Sequence, residues 1–260
     1  MTRVRVMPVL LLSRRGVVKT TRFSRPTYVG DPRNIVRIYN TKEVDELVLL
    51  DIEASKHRAV PDFELLEEIA SEAFMPIAYG GGLRTVAEAR RLIYLGIEKL
   101  CLNTATFEQP MLVRKLSDEL GAQCVVASID VRRSWRGGYR VISHSGRNVP
   151  EADPVRWADH LIALGAGELL VNAVDRDGTR SGYDRELLRL FSGRIDVPVI
   201  ACGGAASVRD LVDTVATTRL RALAAGSLFI HEGPHRAVLP TYLSAADFAS
   251  LAQAADARLR

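Results

Sequence analysis

Hydrophobic residues run along the chain in short, nearly continuous blocks separated by longer amphipathic stretches. The apolar blocks predict strands at 4–12, 46–52, 76–79, 99–103, 122–130, 168–174, 198–202 and 222–225. Helical periodicity follows most of them, as at 86–95, where the apolar positions 86, 89, 92, 93 and 95 fall on one face. Strands that are apolar throughout are covered on both faces, and their alternation with helices is the pattern of a parallel sheet. Eight such units in 260 residues predict an α/β fold, a (β/α)8 TIM barrel forming one domain over 1–260. A doubly wound open sheet is the competing arrangement. The Gly-, Ser- and Arg-rich segment 134–150 breaks the pattern and predicts a hairpin inserted after the fifth strand.

The blocks also repeat. Glu46-Leu47-Val48-Leu49 matches Glu168-Leu169-Leu170-Val171, an offset of 122 residues. The same offset pairs Asp62 with Asp184, Leu65-Leu66 with Leu187-Leu188, Pro76 with Pro198, Gly81-Gly82 with Gly203-Gly204, and Phe107 with Phe229. A constant offset over so many positions predicts two similar half-barrels related by a pseudo-twofold axis, with similar sites in equivalent loops.

The repeated strand ends carry small polar elements. Gly80-Gly81-Gly82 follows the third strand and Gly203-Gly204 the seventh, while Asn103-Thr104 and Gly226-Ser227 end the fourth and eighth. Glycines there let backbone N–H groups approach an anion, and the helix that follows adds its dipole. The reading is two phosphate sites on opposite sides of the mouth, spanned by a ligand with a phosphate at each end. Between them, acid–base groups are expected at strand ends: Asp130 after the fifth, Asp51 after the second, and Asp177-Gly178-Thr179 in the sixth loop. At the opposite end, Arg5, Glu46, Lys99 and Glu168 each start a strand. They are either four exposed charges or a ring of ion pairs closing the barrel axis, and burial of such a ring is costly unless every charge is paired.

Composition narrows the class. No apolar run reaches the ~18 residues of a membrane span, and residues 1–13 lack a signal-peptide core while carrying Arg3 and Arg5. A cytoplasmic protein without membrane attachment is expected. Cys101, Cys124 and Cys202 are widely separated and the five histidines form no ligand spacing. Neither a disulfide framework, a metal nor a cofactor is expected. Basic residues cluster only in Arg14-Arg15 with Lys19, Arg22 and Arg25, and in Arg132-Arg133 with Arg136. That is too sparse for a nucleic-acid stripe and suits small phosphorylated ligands, or a solvated face.

With the repeat, the glycine pairs and the 175–183 stretch together, the chain resembles the cyclase subunit of imidazole glycerol phosphate synthase from Val4 to about Phe229. The specific segments are Glu46-Leu47-Val48-Leu49-Leu50-Asp51, Gly80-Gly81-Gly82, Asn103-Thr104-Ala105, Asp130, Asp175-Arg176-Asp177-Gly178-Thr179-Arg180-Ser181-Gly182-Tyr183-Asp184 and Gly203-Gly204. A sister isomerase of the same pathway is less similar, because Asp175–Thr179 has the cyclase form. The resemblance implies a glutaminase partner docked as a heterodimer on the N-terminal face, with its ammonia passing along the barrel axis. At the mouth ammonia would convert a bisphosphorylated ribulosyl aminoimidazole carboxamide into imidazole glycerol phosphate and aminoimidazole carboxamide ribotide. Arg5, Glu46, Lys99 and Glu168 match the family's ammonia gate, and Glu98 matches a carboxylate facing the glutaminase. Lys19, Asp51, Gly81, Gly82, Asn103, Thr104, Asp177, Gly178, Gly203, Gly204, Gly226 and Ser227 match phosphate and substrate contacts, and Asp130 matches one of two catalytic aspartates.

The second aspartate belongs at the end of the first strand, where this chain has Leu11. The family's Cys-Leu-Asp-Val is here Val9-Leu10-Leu11-Leu12, followed by Ser13-Arg14-Arg15-Gly16 instead of an acidic-glycine turn. Leucine moves no proton, and losing a general acid or base typically costs about 10²–10⁴-fold in rate. Two expectations follow. One is a cyclase subunit that still turns over, helped by water or Asp51. The other is a paralogue that acts as ammonia conduit and scaffold for another acceptor enzyme, such as one amidinating a surface sugar. A phosphosugar isomerase is disfavoured by the four strand-start charges.

Overall fold

A computed structural model describes residues 4–143, 153–233 and 237–257. Eight parallel strands close into a ring: β1 (Arg5–Ser13), β2 (Leu47–Asp51), β3 (Ile77–Gly80), β4 (Lys99–Leu102), β5 (Val125–Arg133), β6 (Glu168–Ala173), β7 (Val199–Cys202) and β8 (Ala222–Ala225). They pair in chain order, and β8 returns to β1 with Arg5 beside Ala222 and Pro8 beside Ala225. The sheet is therefore a TIM barrel and not an open doubly wound sheet. Eight helices cover it: α1 (Pro32–Thr41), α2 (Phe63–Glu72), α3 (Val86–Tyr94), α4 (Met111–Leu120), α5 (Pro154–Ala163), α6 (Arg185–Phe191), α7 (Val208–Thr217) and α8 (Ala245–Ala257). None of the described helices is long and apolar enough to cross a membrane.

Two layers of apolar side chains result from strand alternation. Leu47, Leu49, Leu100, Leu169 and Val171 point outward to the helices, and Val48, Cys101, Val126, Leu170 and Ile200 fill the lumen. The repeat is visible in the helix starts. Asp62 and Asp184 cap α2 and α6 with φ/ψ of −75°/84° and −77°/84°, each accepting from the third backbone N–H at 3.1 Å. Thr85 with Glu88, and Ser207 with Asp210, close reciprocal capping boxes at α3 and α7. The same residue types 122 positions apart satisfy the same orphan amides.

The strand bounds shift in informative places. Ala122–Cys124 is a 3-10 turn, because Gly121 at φ 90° ends α4, and β5 begins at Val125. It runs on to Arg133 because Tyr139–Ile142 pairs with it antiparallel, forming the hairpin expected after the fifth strand. The rest of that expected insertion, 144–150, lies outside the described residues. The basic segment after β1, which falls outside every strand expected from the pattern and so reads as a loop, is a hairpin. Gly16–Thr21 folds back on β1 and pairs in turn with Ser24–Gly30. Its two tight turns use Arg14-Arg15 (φ 50° and 62°) and Arg22-Phe23 (φ 51° and 61°) in left-handed backbone that is usually filled by Asn or Gly. No turn signal marks those positions, so periodicity alone missed them.

Candidate active site

The strand ends converge on one cavity at the C-terminal mouth, lined by Leu11, Lys19, Asp51, Gly81, Gly82, Asn103, Thr104, Asp130, Asp177, Gly178, Gly203, Gly204, Gly226 and Ser227. The structure thus brings these residues singled out in the sequence together with Ser128 and Asn172, which were not singled out, whereas Thr179 is not part of the lining and its Oγ1 donates to the Arg176 carbonyl at 2.7 Å.

Asp130 sits on β5 with 8% of its surface exposed. Asn103 Nδ2 donates to its Oδ2 at 3.1 Å and to the Ser128 carbonyl at 3.0 Å, which fixes that amide's orientation. Asn172 Nδ2 donates to Asp130 Oδ1 at 3.3 Å. Burial raises the carboxyl to about 7; the Asn172 and Asn103 hydrogen bonds oppose the rise and the charge of Asp177 adds to it. The group therefore changes charge near neutral pH, where a general acid or base works best. Asp51 is different. Its Oδ1 accepts from the Glu53 and Ala54 amides at 2.8 and 2.9 Å, so it holds the start of the short helix Ala54–His57. Burial raises its pKa while those two amides lower it. One of its two carboxyl oxygens is thus committed to the loop, while the residue still lines the cavity.

Lys19 reaches the cavity from the hairpin strand Gly16–Thr21, 7% exposed. Its Nζ lies 3.3 Å from Asp177 Oδ1, and Thr20 Oγ1 lies 3.3 Å from Asp177 Oδ2. The hairpin is anchored to the loop after β6 by close backbone approach. A Cβ on Gly178 (φ 69°) would fall 2.1 Å from the Thr20 carbonyl oxygen, so only glycine fits. Arg22 N donates to Asp177 O at 2.9 Å and Arg22 Nε to Asp175 O at 3.1 Å. Arg133 N donates to Asp175 Oδ2 at 2.7 Å, and Arg132 Nε lies 3.6 Å from Asp175 Oδ1. Both hairpins therefore dock on the sixth loop. The basic clusters are mostly engaged by protein: Arg15 meets Asp62, Glu64 and Glu68, and Arg133 meets Glu186. Of the clustered cations, Lys19 is the one that lines the cavity.

The two glycine sites are built alike. Gly81 and Gly82 precede α3, Gly203 and Gly204 precede α7, and the short helices Thr104–Glu108 and Ser227–Ile230 start beside them without a side-chain cap. Thr106 N and Phe229 N donate back to the Asn103 and Gly226 carbonyls at 2.9 and 3.1 Å, the same turn at both sites. Between the two sites the mouth is asymmetric. Strands β1 and β5 are four places apart in the ring of eight, hence opposite, so Leu11 faces the Asp130 side. Leu11 pairs with Leu50 on β2, and both pack on the lumen layer. The Leu11–Leu50 patch is apolar, flanked by Asp51 and Lys19, and the opposite side carries Asn103, Asp130 and Asn172.

At the other end Arg5, Glu46, Lys99 and Glu168 form a closed ring and are not separate surface charges. Arg5 Nη1 lies 3.0 Å from Glu46 Oε2, and its Nη2 bonds Glu168 Oε1. Lys99 Nζ lies 2.9 Å from both Glu46 Oε2 and Glu168 Oε2. Burial works against both cations, but the two glutamates outweigh it and hold Arg5 and Lys99 above their ordinary values. Glu98 is exposed on the same face, where Phe74 (88%) and Tyr94 (91%) also project into solvent.

Residues 5–236 match the model of a family described as histidine biosynthesis protein. A Pseudomonas aeruginosa protein provisionally named imidazole glycerol phosphate synthase subunit hisF2 is 49% identical over 242 residues, covering 93% of this chain and 96% of that protein. The Vibrio vulnificus protein provisionally named subunit hisF3 is 42% identical over 245 residues, 94% of each chain. A Leptospira interrogans protein provisionally named subunit HisF is 40% identical over 243 residues, 93% of this chain and 96% of that protein.

Proposed function

The chain belongs to the histidine biosynthesis protein family, and on that premise we propose that it is a cyclase-type subunit of imidazole glycerol phosphate synthase. Its substrate is the bisphosphorylated ribulosyl aminoimidazole carboxamide, and its co-substrate is ammonia from a glutaminase. The observation that carries the reading is the pair of pseudo-symmetric glycine sites on either side of Asp130, each beside a short helix without a side-chain cap, above a closed ring of four charges. Each phosphate sits on backbone amides at one site, so the reacting centre is held between them in front of Asp130. With a pKa near 7, Asp130 accepts and returns the protons that move as ammonia adds and the imidazole closes. Lys19 supplies positive charge beside the Gly226 site, with Gly226 packed against its side chain.

The N-terminal face suits a glutaminase. Exposed Phe74 and Tyr94 beside Glu98 offer aromatic anchors around the ion ring. Above the ring, the lumen is lined by Met7, Val48, Cys101, Val126, Leu170 and Ile200, an apolar path that passes neutral ammonia and disfavours ammonium. The reading implies a cytoplasmic enzyme within one barrel domain.

The Leu11–Leu50 wall favours a second reading, in which the barrel keeps the substrate scaffold and conduit but hands ammonia to another acceptor enzyme. One assay separates them. The purified barrel receives the bisphosphate substrate with excess ammonium salt above pH 8, and substrate loss is followed by absorbance beside Leu11→Asp. The cyclase reading expects wild-type turnover that depends on Asp130. Turnover absent in wild type and restored by Leu11→Asp, roughly 10²-fold or more, would transfer the assignment to the conduit.

A further inference from the structure

Asn172 is the one polar lumen residue of β6 at the level of the mouth. Its strand register places it between Asp130 on β5 and Cys202 on β7. It is 7% exposed, and its Nδ2 donates to Asp130 Oδ1 at 3.3 Å. While Asp130 is ionised, the amide cannot turn over without setting its oxygen against a carboxylate oxygen. Its Oδ1 therefore points the other way and has no hydrogen-bond partner, although it is buried. A buried carbonyl oxygen without a donor forfeits its hydration and is rare unless a ligand supplies the donor. The oxygen lies under the second glycine site: a Cβ on Gly203 would stand 2.8 Å from it. Both groups line the same cavity.

From this placement we propose that Asn172 is a ligand-reading residue, whose Oδ1 accepts a hydrogen bond from a hydroxyl of a phosphosugar with its phosphate on the Gly203–Gly204 site. The proposal deepens the two-phosphate reading above and rests on it. The hydroxyl concerned is on a carbon next to, or one removed from, the phosphate ester, because the oxygen is adjacent to the glycine that carries the phosphate. Through Nδ2 the same side chain orients Asp130, so one amide couples recognition of the sugar end to the position of the acid–base group. Val9, Leu11 and Leu50 offer no hydrogen bond to the ligand, and Lys19 with Ser227 faces the neighbouring Gly226, so the acceptor beside Gly203 comes from β6.

The test uses two probes that are not substrates of the proposed reaction: glycerol 3-phosphate, which has the carbon-borne hydroxyls, and inorganic phosphate, which has no carbon-borne hydroxyl. Their affinities for the full chain are measured by calorimetry in wild type and Asn172→Ala, with Asn172→Val, which keeps the bulk and lacks the acceptor, as a second variant should alanine not fold. Wild type is expected to prefer glycerol 3-phosphate, and the variant to lose roughly three- to tenfold of that affinity while binding phosphate as before. Equal loss for both probes, or an unchanged preference, overturns the proposal alone. Failure of wild type to bind either probe overturns it together with the phosphate reading.

Discussion

Asp130 makes the sharpest residue-scale claim. Its carboxyl is raised from 3.8 to about 7 chiefly by burial. The folded state therefore binds a proton that the unfolded state has released across that interval, and stability must fall as pH rises through it. The effect is absent below the ordinary carboxylate range and complete above about pH 7. Asp130→Asn is expected to flatten this part of the stability–pH curve, by up to about 4 kcal/mol at its upper end, as read by urea unfolding at stepped pH. The same variant should lower turnover by about 10²-fold or more. A curve as steep in the variant as in wild type would mean that Asp130 titrates normally. Leu11 is the counterpart of this residue across the mouth. Its side chain belongs to the lumen's apolar layer, so a charge placed there by Leu11→Asp faces water on one side only and is held opposite Asp130.

At the scale of elements, the hairpins and the sixth loop act as one unit. The strand Gly16–Thr21 delivers Lys19 and Thr20 to Asp177, and its seating depends on the absence of a side chain at position 178. Gly178→Ala is expected to push the hairpin off the loop, destabilising the fold by about 1–3 kcal/mol and raising hydrogen exchange across 16–21. Unchanged protection there would show that the hairpin holds by its own pairing. This unit also marks the limit of the sequence pattern. The barrel strands were legible because each is buried on both faces and reads as an apolar run, and the half-barrel symmetry was legible because the same capping residues recur 122 positions apart. The first hairpin was not, since Arg14-Arg15 and Arg22-Phe23 take left-handed turns that their side chains do not announce. Asn172 was hidden for another reason. An asparagine inside the apolar run Leu169–Val174 gives no spacing signal, and only the register beside Asp130 shows what it faces. For the strand-start charges, the sequence left two arrangements open, and ring closure chose between them by bringing Arg5, Lys99 and Glu168, which begin β1, β4 and β6, together with Glu46 just before β2.

For the whole molecule, the barrel is a polarised object. One end is closed by four charges paired with one another, the middle is lined by apolar side chains, and the other end holds the two glycine elements that the proposed function reads as anion sites, with Asp130 between them. The pseudo-twofold relation matters most here, because it makes the ligand's two ends chemically alike in what they need from the chain. A ligand bridging both sites gains from each, whereas a monophosphate occupies one at a time. Calorimetric titration of the intact chain with the bisphosphorylated carboxamide substrate, ammonia absent, tests that directly. The account predicts one molecule bound per chain, tighter by at least about tenfold than inorganic phosphate, with the advantage lost equally in Thr104→Val and Ser227→Ala. Two molecules bound per chain, or an affinity no better than that of phosphate, would contradict it.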